Sequence, residues 1–116
     1  MAGALAVCCC PIQVVNAAGV ITTPDRRFAD DVLVELRRDR SLVVGDNEPY
    51  SAKDNVDYTI RRHGFDRGLA NVMIEIRNDL VANKAHIDDW ADRLTRALEA
   101  SVRRNGTAHA VSGAYG

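Results

Sequence analysis

Residues 70–80 read ANVMIEIRNDL, and the reading of this stretch decides the fold. Its first eight residues have the β-branched and apolar density of a buried strand, and polar Asn78 and Asp79 follow at once. Side chains alternate faces along a strand, so Met73, Glu75 and Arg77 share one side while Val72, Ile74 and Ile76 share the other. Glu75 and Arg77 then lie about 7 Å apart by strand rise, close enough to touch through their side chains. Such a charged pair has two readings. It is a structural ion pair at a strand end, costly to bury unless well satisfied, or a carboxylate general base with a cationic partner.

Downstream, Ile87, Trp90, Ala91, Leu94, Ala97, Leu98 and Val102 make one apolar stripe at helical spacing. The spacing predicts a long helix closed by basic Arg103 and Arg104 and by Gly106. Residues 106–116 carry no period and read as a tail. Upstream, VDYTIRRHGFDRG (56–68) reads as a short helix from Asp57, stopping at Gly64 or Gly68. Before it, SLVV (41–44) reads as a short buried strand ended by Gly45, and a polar loop runs from Asp46 to Asn55. Gly19–Thr22 is the first local strand candidate. Thr23 can then cap a helix, with Pro24 at its first position and Asp25 at the positive end of the dipole. Phe28, Val32 and Leu36 recur every four residues beside Leu33, which predicts an amphipathic helix ending near Arg40.

Strand, helix, strand, loop, helix, strand, helix is the order of an α/β protein, with a mostly parallel or mixed sheet and helices on its faces. Ligands in such sheets bind at the carboxyl ends of strands. On that expectation GDNEPYS (45–51) and RNDL (77–80), each following a strand, both stand where chemistry occurs. The first of them could equally be a turn, because Asp, Asn, Pro and Ser bond their own backbone. A generic turn, however, rarely needs Glu before Pro and Tyr after it.

Fifteen basic against sixteen acidic residues give a net charge of −1, which argues against nucleic acid and membrane surfaces as partners. The 116 residues and 47% apolar content fit one small domain. The cysteines, Cys8, Cys9 and Cys10, are consecutive and cannot easily converge on one tetrahedral metal, so they read as apolar residues in or before a strand. An unpaired triplet fits a reducing, cytoplasmic setting. The start, MAGALAVCCC, is too short to span a bilayer and has no basic residue ahead of it. His63 near a helix end reads as a cap, a dipole partner or a substrate ligand; His86 and His109 are weaker candidates. The arginines of RRDR (37–40) and Arg103 and Arg104 read as solvated faces.

VVGDNEPYS (43–51), DYTIRRH (57–63) and GLANVMIEIRNDL (68–80), followed by a Trp-containing amphipathic helix, together resemble the C-terminal half of the N-formylglutamate amidohydrolase family. GVITTPDRRFADDVLVEL (19–36) resembles the segment before them, so the likeness covers residues 19–102. Residues 1–18 then form an atypical N-terminal segment, residues 19–105 the half-domain and residues 106–116 the tail. The resemblance implies a fold related to the zinc carboxypeptidases, a small-molecule N-acyl amino acid as substrate, and hydrolysis of N-formyl-L-glutamate to formate and L-glutamate in histidine breakdown. It implies zinc or another divalent metal as cofactor.

Carried over residue by residue, the resemblance makes Glu75 the general base, and Asn47, Glu48, Tyr50, Arg77 and His63 substrate-binding. A planar guanidinium at Arg77 suits the glutamate carboxylates. The resemblance implies metal ligands in the family's N-terminal half, in one histidine-containing segment near its start and another just before the part matched here, whereas no histidine precedes His63. No metal ligands are assigned in the chain, which reads as truncated. The alternative is a non-catalytic half-domain that binds an acidic amino-acid derivative or a partner subunit, with self-association through exposed sheet edges.

Overall fold

The computed structural model of the protein describes residues 3–10, 16–48 and 58–105; of residues 4, 6 and 8–10 it describes the backbone alone. Its frame is a four-stranded sheet. In chain order the strands are β1 (Gly3–Cys10), β2 (Ala18–Ile21), β3 (Val44–Asp46) and β4 (Ala70–Arg77). In space they run β1-β4-β2-β3. The helices are α1 (Arg27–Leu36), α2 (Tyr58–His63) and α3 (Lys84–Arg104), with single 3-10 turns at Phe65–Arg67 and Asn78–Val81. No helix among the described residues is long and apolar enough to cross a membrane.

The sheet is mixed, and its mixture sets where loops fall. β1 lies parallel to β4 and β2 parallel to β3, but β2 and β4 are antiparallel. The carboxyl ends of β3 and β4 therefore lie at opposite ends of the sheet. GDNEPYS and RNDL do not share one end, as strand alternation alone suggested.

Register assigns the faces. Ile74 stands opposite Val20 and Ile76 opposite Ala18, and these join Val44 and Val72 in one buried cluster with Val32 and Leu36 of α1 and Trp90 and Ala97 of α3. Burying an aliphatic side chain of this size stabilises by about 1.5–3 kcal/mol. The stripe Ala29, Val32, Leu33 and Leu36 accordingly fixes α1 to the sheet without a side-chain cap. Leu5 and Val7 fall on the same face by register, yet each is 48% exposed at the β1 edge. α2 packs against β1 and β4, with its Ile60 fully buried.

Several boundaries differ from those read in the sequence. α1 starts at Arg27 and ends at Leu36, and Thr23 caps nothing: its hydroxyl donates to the Asn71 side chain and to the Asp25 carbonyl. The strand read at SLVV begins only at Val44 and includes Gly45. Ser41 and Leu42 are used up in a turn in which the Ser41 N–H and hydroxyl donate to the Asp39 carboxylate and the Leu42 N–H to the Asp39 carbonyl. β1 is a fourth strand, within the segment that looked atypical. Both glycines proposed to end α2 act in turn, Gly64 after the helix and Gly68, at φ 67°, after the 3-10 turn. α3 begins at Lys84 because the Asn83 side chain accepts the His86 N–H; Ile87, in its first turn, is 51% exposed and not part of the buried stripe. Residues 106–116 lie outside the described residues.

Candidate functional site

β4 brings three polar side chains to one face, Asn71, Glu75 and Arg77, each two residues or a multiple of two from the next. Glu75 is the buried acid among them, 5% exposed. Across the antiparallel pair its Cα partner is Gly19, whose parallel neighbour in β3 is Gly45; on the other side the partner is Cys8. One cross-strand row thus reads Cys8, Glu75, Gly19, Gly45. Glycine inside a strand marks places where another backbone or a ligand comes close to the sheet.

At Gly45 the approaching group is visible. A Cβ there would lie 2.3 Å from Asn16 Nδ2 and 2.7 Å from the Glu48 carbonyl oxygen. Asn16 Nδ2 in turn donates to that carbonyl at 3.2 Å. The loop after β3 folds back over its own strand, and Glu48 comes down onto the row that holds Glu75. Neighbouring strands are about 4.8 Å apart, so this loop wall and the Glu75 strand stand roughly 10 Å apart with Gly19 between them. Gly19 puts no side chain into that strip and is itself buried.

Asn47 makes the corner. Its φ of 55° is in the left-handed region, where Asn is among the few residues tolerated without a large steric cost. Its N–H donates to the Val20 carbonyl, its Oδ1 accepts the Thr22 N–H at 2.9 Å, and its Nδ2 donates to the Thr22 hydroxyl at 2.9 Å. Arg26 completes the knot by donating to the Thr22 hydroxyl and pairing with Asp46 at 2.7 Å; that hydrogen bond to Asp46 raises the Arg26 pKa further. Asn47 therefore positions the Glu48 loop from within, its side chain committed to protein partners.

The remaining residues read from the sequence are more scattered. Arg77 lies one pleat beyond Glu75, at the end of the sheet away from Asn47, and its N–H donates to the Ala17 carbonyl. Among the described residues Arg77 pairs with Asp79, at 2.6 Å. That guanidinium holds the Asp79 carboxyl below the usual range. His63 is exposed at the end of α2, edge-on to Tyr58 at 6.4 Å between ring centroids. Tyr50 lies outside the described residues. The sequence reading missed Asn71, which is 1% exposed, accepts a 2.7 Å hydrogen bond from Thr23 and donates to the Leu69 carbonyl. The signal was present in the alternation of 71, 73, 75 and 77.

A family model described as N-formylglutamate amidohydrolase matches residues 8–82, which include the whole Glu75 row and the Asn47 corner. The chain belongs to the N-formylglutamate amidohydrolase family. A crystal structure of a gene product from Agrobacterium tumefaciens is similar, with a TM-score of 0.73 and 33% identity over 86% of this chain. The match covers 41% of that chain, so this member of the N-formylglutamate amidohydrolase family spans less than half the length of its structural relative. No curated protein matches it.

The zinc implied by the family resemblance needs three or more ligands. Among the described residues no group of three or more His, Cys, Asp or Glu side chains is placed to hold a metal ion. These residues do not fit the metal.

Proposed function

We propose that this chain carries the general-base face of an amide hydrolase of the N-formylglutamate amidohydrolase type, acting on N-formyl-L-glutamate to give formate and L-glutamate. The observation that carries the reading is Glu75, a buried carboxylate in a strand row continued by two glycines, inside the segment that matches the family. An N-acyl amino acid lying over Gly19 has the Glu75 carboxylate on one side and the Glu48 loop on the other. Glu75 takes the proton from a water molecule as its oxygen attacks the formyl carbon. It then returns that proton to the glutamate nitrogen as the C–N bond breaks. Arg77, at the end of the same face, is the cation suited to a substrate carboxylate, and Tyr50 and His63 complete the binding set.

Metal dependence, with ligands contributed from outside the described residues, a place in histidine breakdown and a cytoplasmic setting belong to the same proposal. The test is formate release from N-formyl-L-glutamate by the purified chain supplied with zinc, compared with the same chain in a chelator. Zinc-dependent release supports the reading, and no release under either condition overturns catalysis by this chain.

A second reading is favoured by β1, the edge strand of the sheet among the described residues, where Leu5 and Val7 are half exposed and no residue is charged. Such an edge pairs readily with another chain. In that reading the chain is a non-catalytic half that binds an acidic amino-acid derivative or associates with a partner or a second copy of itself. Saturable N-formyl-L-glutamate binding without release, or a concentration-dependent dimer, distinguishes it from the first.

A further inference from the structure

On the far side of the sheet from Glu75, a half-open cleft of about 460 Å³ lies between the C-terminal half of α1 and the middle of α3. Leu36 and Ala97 supply its apolar floor, and five charged residues supply its walls: Glu35, Arg38 and Asp39 from one side, Arg93 and Arg96 from the other. The two carboxylates are already occupied. Glu35 pairs with Arg38 at 2.9 Å and also with Arg104, while Asp39 accepts from Arg93 at 2.7 Å and from the Ser41 hydroxyl and N–H. These bonds hold the Asp39 carboxyl down to about 2, the Ser41 hydroxyl being the first cause and Arg93 the next.

The arginines are not exhausted in the same way. A guanidinium has five N–H donors. Arg38 commits its Nε to Glu35, and Arg93 commits one terminal nitrogen to Asp39. Arg93 Nε is buried without a hydrogen-bond partner, and the guanidinium is fixed in place over the Trp90 ring at 5.2 Å. Arg96, one turn further along α3, is exposed and makes no ion pair among the described residues. Three arginines therefore share the cavity with two neutralised acids, with terminal N–H groups to spare and an apolar floor beneath them.

We propose that this cavity is a binding site for a small organic oxyanion, a carboxylate or phosphate on a short apolar body. The head group lies between Arg38, Arg93 and Arg96, where planar guanidinium forks match its oxygens. The body lies on Leu36 and Ala97. Because the site is on the face opposite Glu75, it does not depend on the hydrolase reading and tests separately from it.

Trp90, the single tryptophan, reports the site through its contact with Arg93. The full chain is titrated with succinate and, in a second arm, with inorganic phosphate, both at ionic strength held constant by sodium chloride. A saturable change in Trp90 fluorescence with either probe is expected, and the responding arm assigns the head group as carboxylate or phosphate. Arg96→Gln, which removes an exposed side chain with no ion-pair partner, should weaken binding about ten-fold without changing the thermal midpoint. Absence of a saturable response in both arms overturns the proposal, as does unchanged affinity in Arg96→Gln.

Discussion

Glu75 and Gly19 are direct partners across the antiparallel β2–β4 ladder, and this pairing puts the buried carboxylate beside a stretch of strand that has no side chain. Gly45 extends the same row into β3, where the Glu48 carbonyl and the Asn16 side chain occupy the space a Cβ would take. Gly19 is therefore flanked along the row by an acid on one side and by Gly45 with its folded-back loop on the other.

Gly45→Val should destabilise the chain and move the loop together. The clash includes the Glu48 backbone, which cannot rotate away as a flexible side chain can. Overpacking of this kind costs about 1–3 kcal/mol. Urea unfolding of Gly45→Val against wild type measures it; an unchanged midpoint would show that Glu48 is not seated on Gly45.

Asn47→Ala and Asn47→Gly separate the backbone from the side chain at the corner. Both lose the two bonds to Thr22, but only alanine must bear the left-handed φ of 55°, at about 1–2 kcal/mol. Thermal unfolding should rank wild type above Asn47→Gly and Asn47→Gly above Asn47→Ala. A reversed order of the two variants would contradict the left-handed corner.

Thr23→Val is nearly isosteric and removes the hydroxyl that donates to buried Asn71. It leaves the Asn71 Oδ1 without that donor in a site that is 1% exposed, at a cost of about 1–3 kcal/mol. A chemical-denaturation midpoint within error of wild type would mean that this bond does not tie β2 to β4.

Asp39 sets an acid limit on the α1–α3 contact. Its carboxyl is lowered from 3.8 to about 2, so its stabilising effect is complete above pH 3.8 and is lost as pH falls through about 2. Asp39→Asn should be less stable than wild type near neutral pH, and the difference should shrink between about pH 4 and pH 2. The check is the thermal midpoint of both proteins across that range; a difference that grows with acidity would reverse the assigned sign.

Much of the architecture was readable because it rests on local pattern. β4 spans the residues its apolar density suggested, and the stripe Trp90, Leu94, Ala97 does face the core. Strand direction was not readable. Alternating strands and helices imply parallel pairs, and nothing local in β2 or β4 specifies that they meet antiparallel; that choice is made by packing over the whole sheet. For this reason the expectation that GDNEPYS and RNDL both lie at one carboxyl end of the sheet does not hold. Glu75 and the Glu48 loop are related through the cross-strand row Glu75, Gly19 and Gly45, and not through a shared carboxyl end. The strand read at SLVV starts late, at Val44, because Asp39 gathers Ser41 and Leu42 into a turn, a side-chain effect that a hydrophobic run does not reveal. Thr23 failed as a cap because a buried partner 48 residues away outcompetes the helix end.

The most direct measurement is the initial rate of formate release from N-formyl-L-glutamate by the zinc-supplied chain and by Glu75→Gln, with matching circular dichroism spectra. The substitution keeps the shape of the side chain and removes its ability to take a proton. Loss of a general base lowers rates by about 10²–10⁴-fold, and a fall in that range is the expected result. Equal rates in the two proteins would contradict a catalytic role for Glu75.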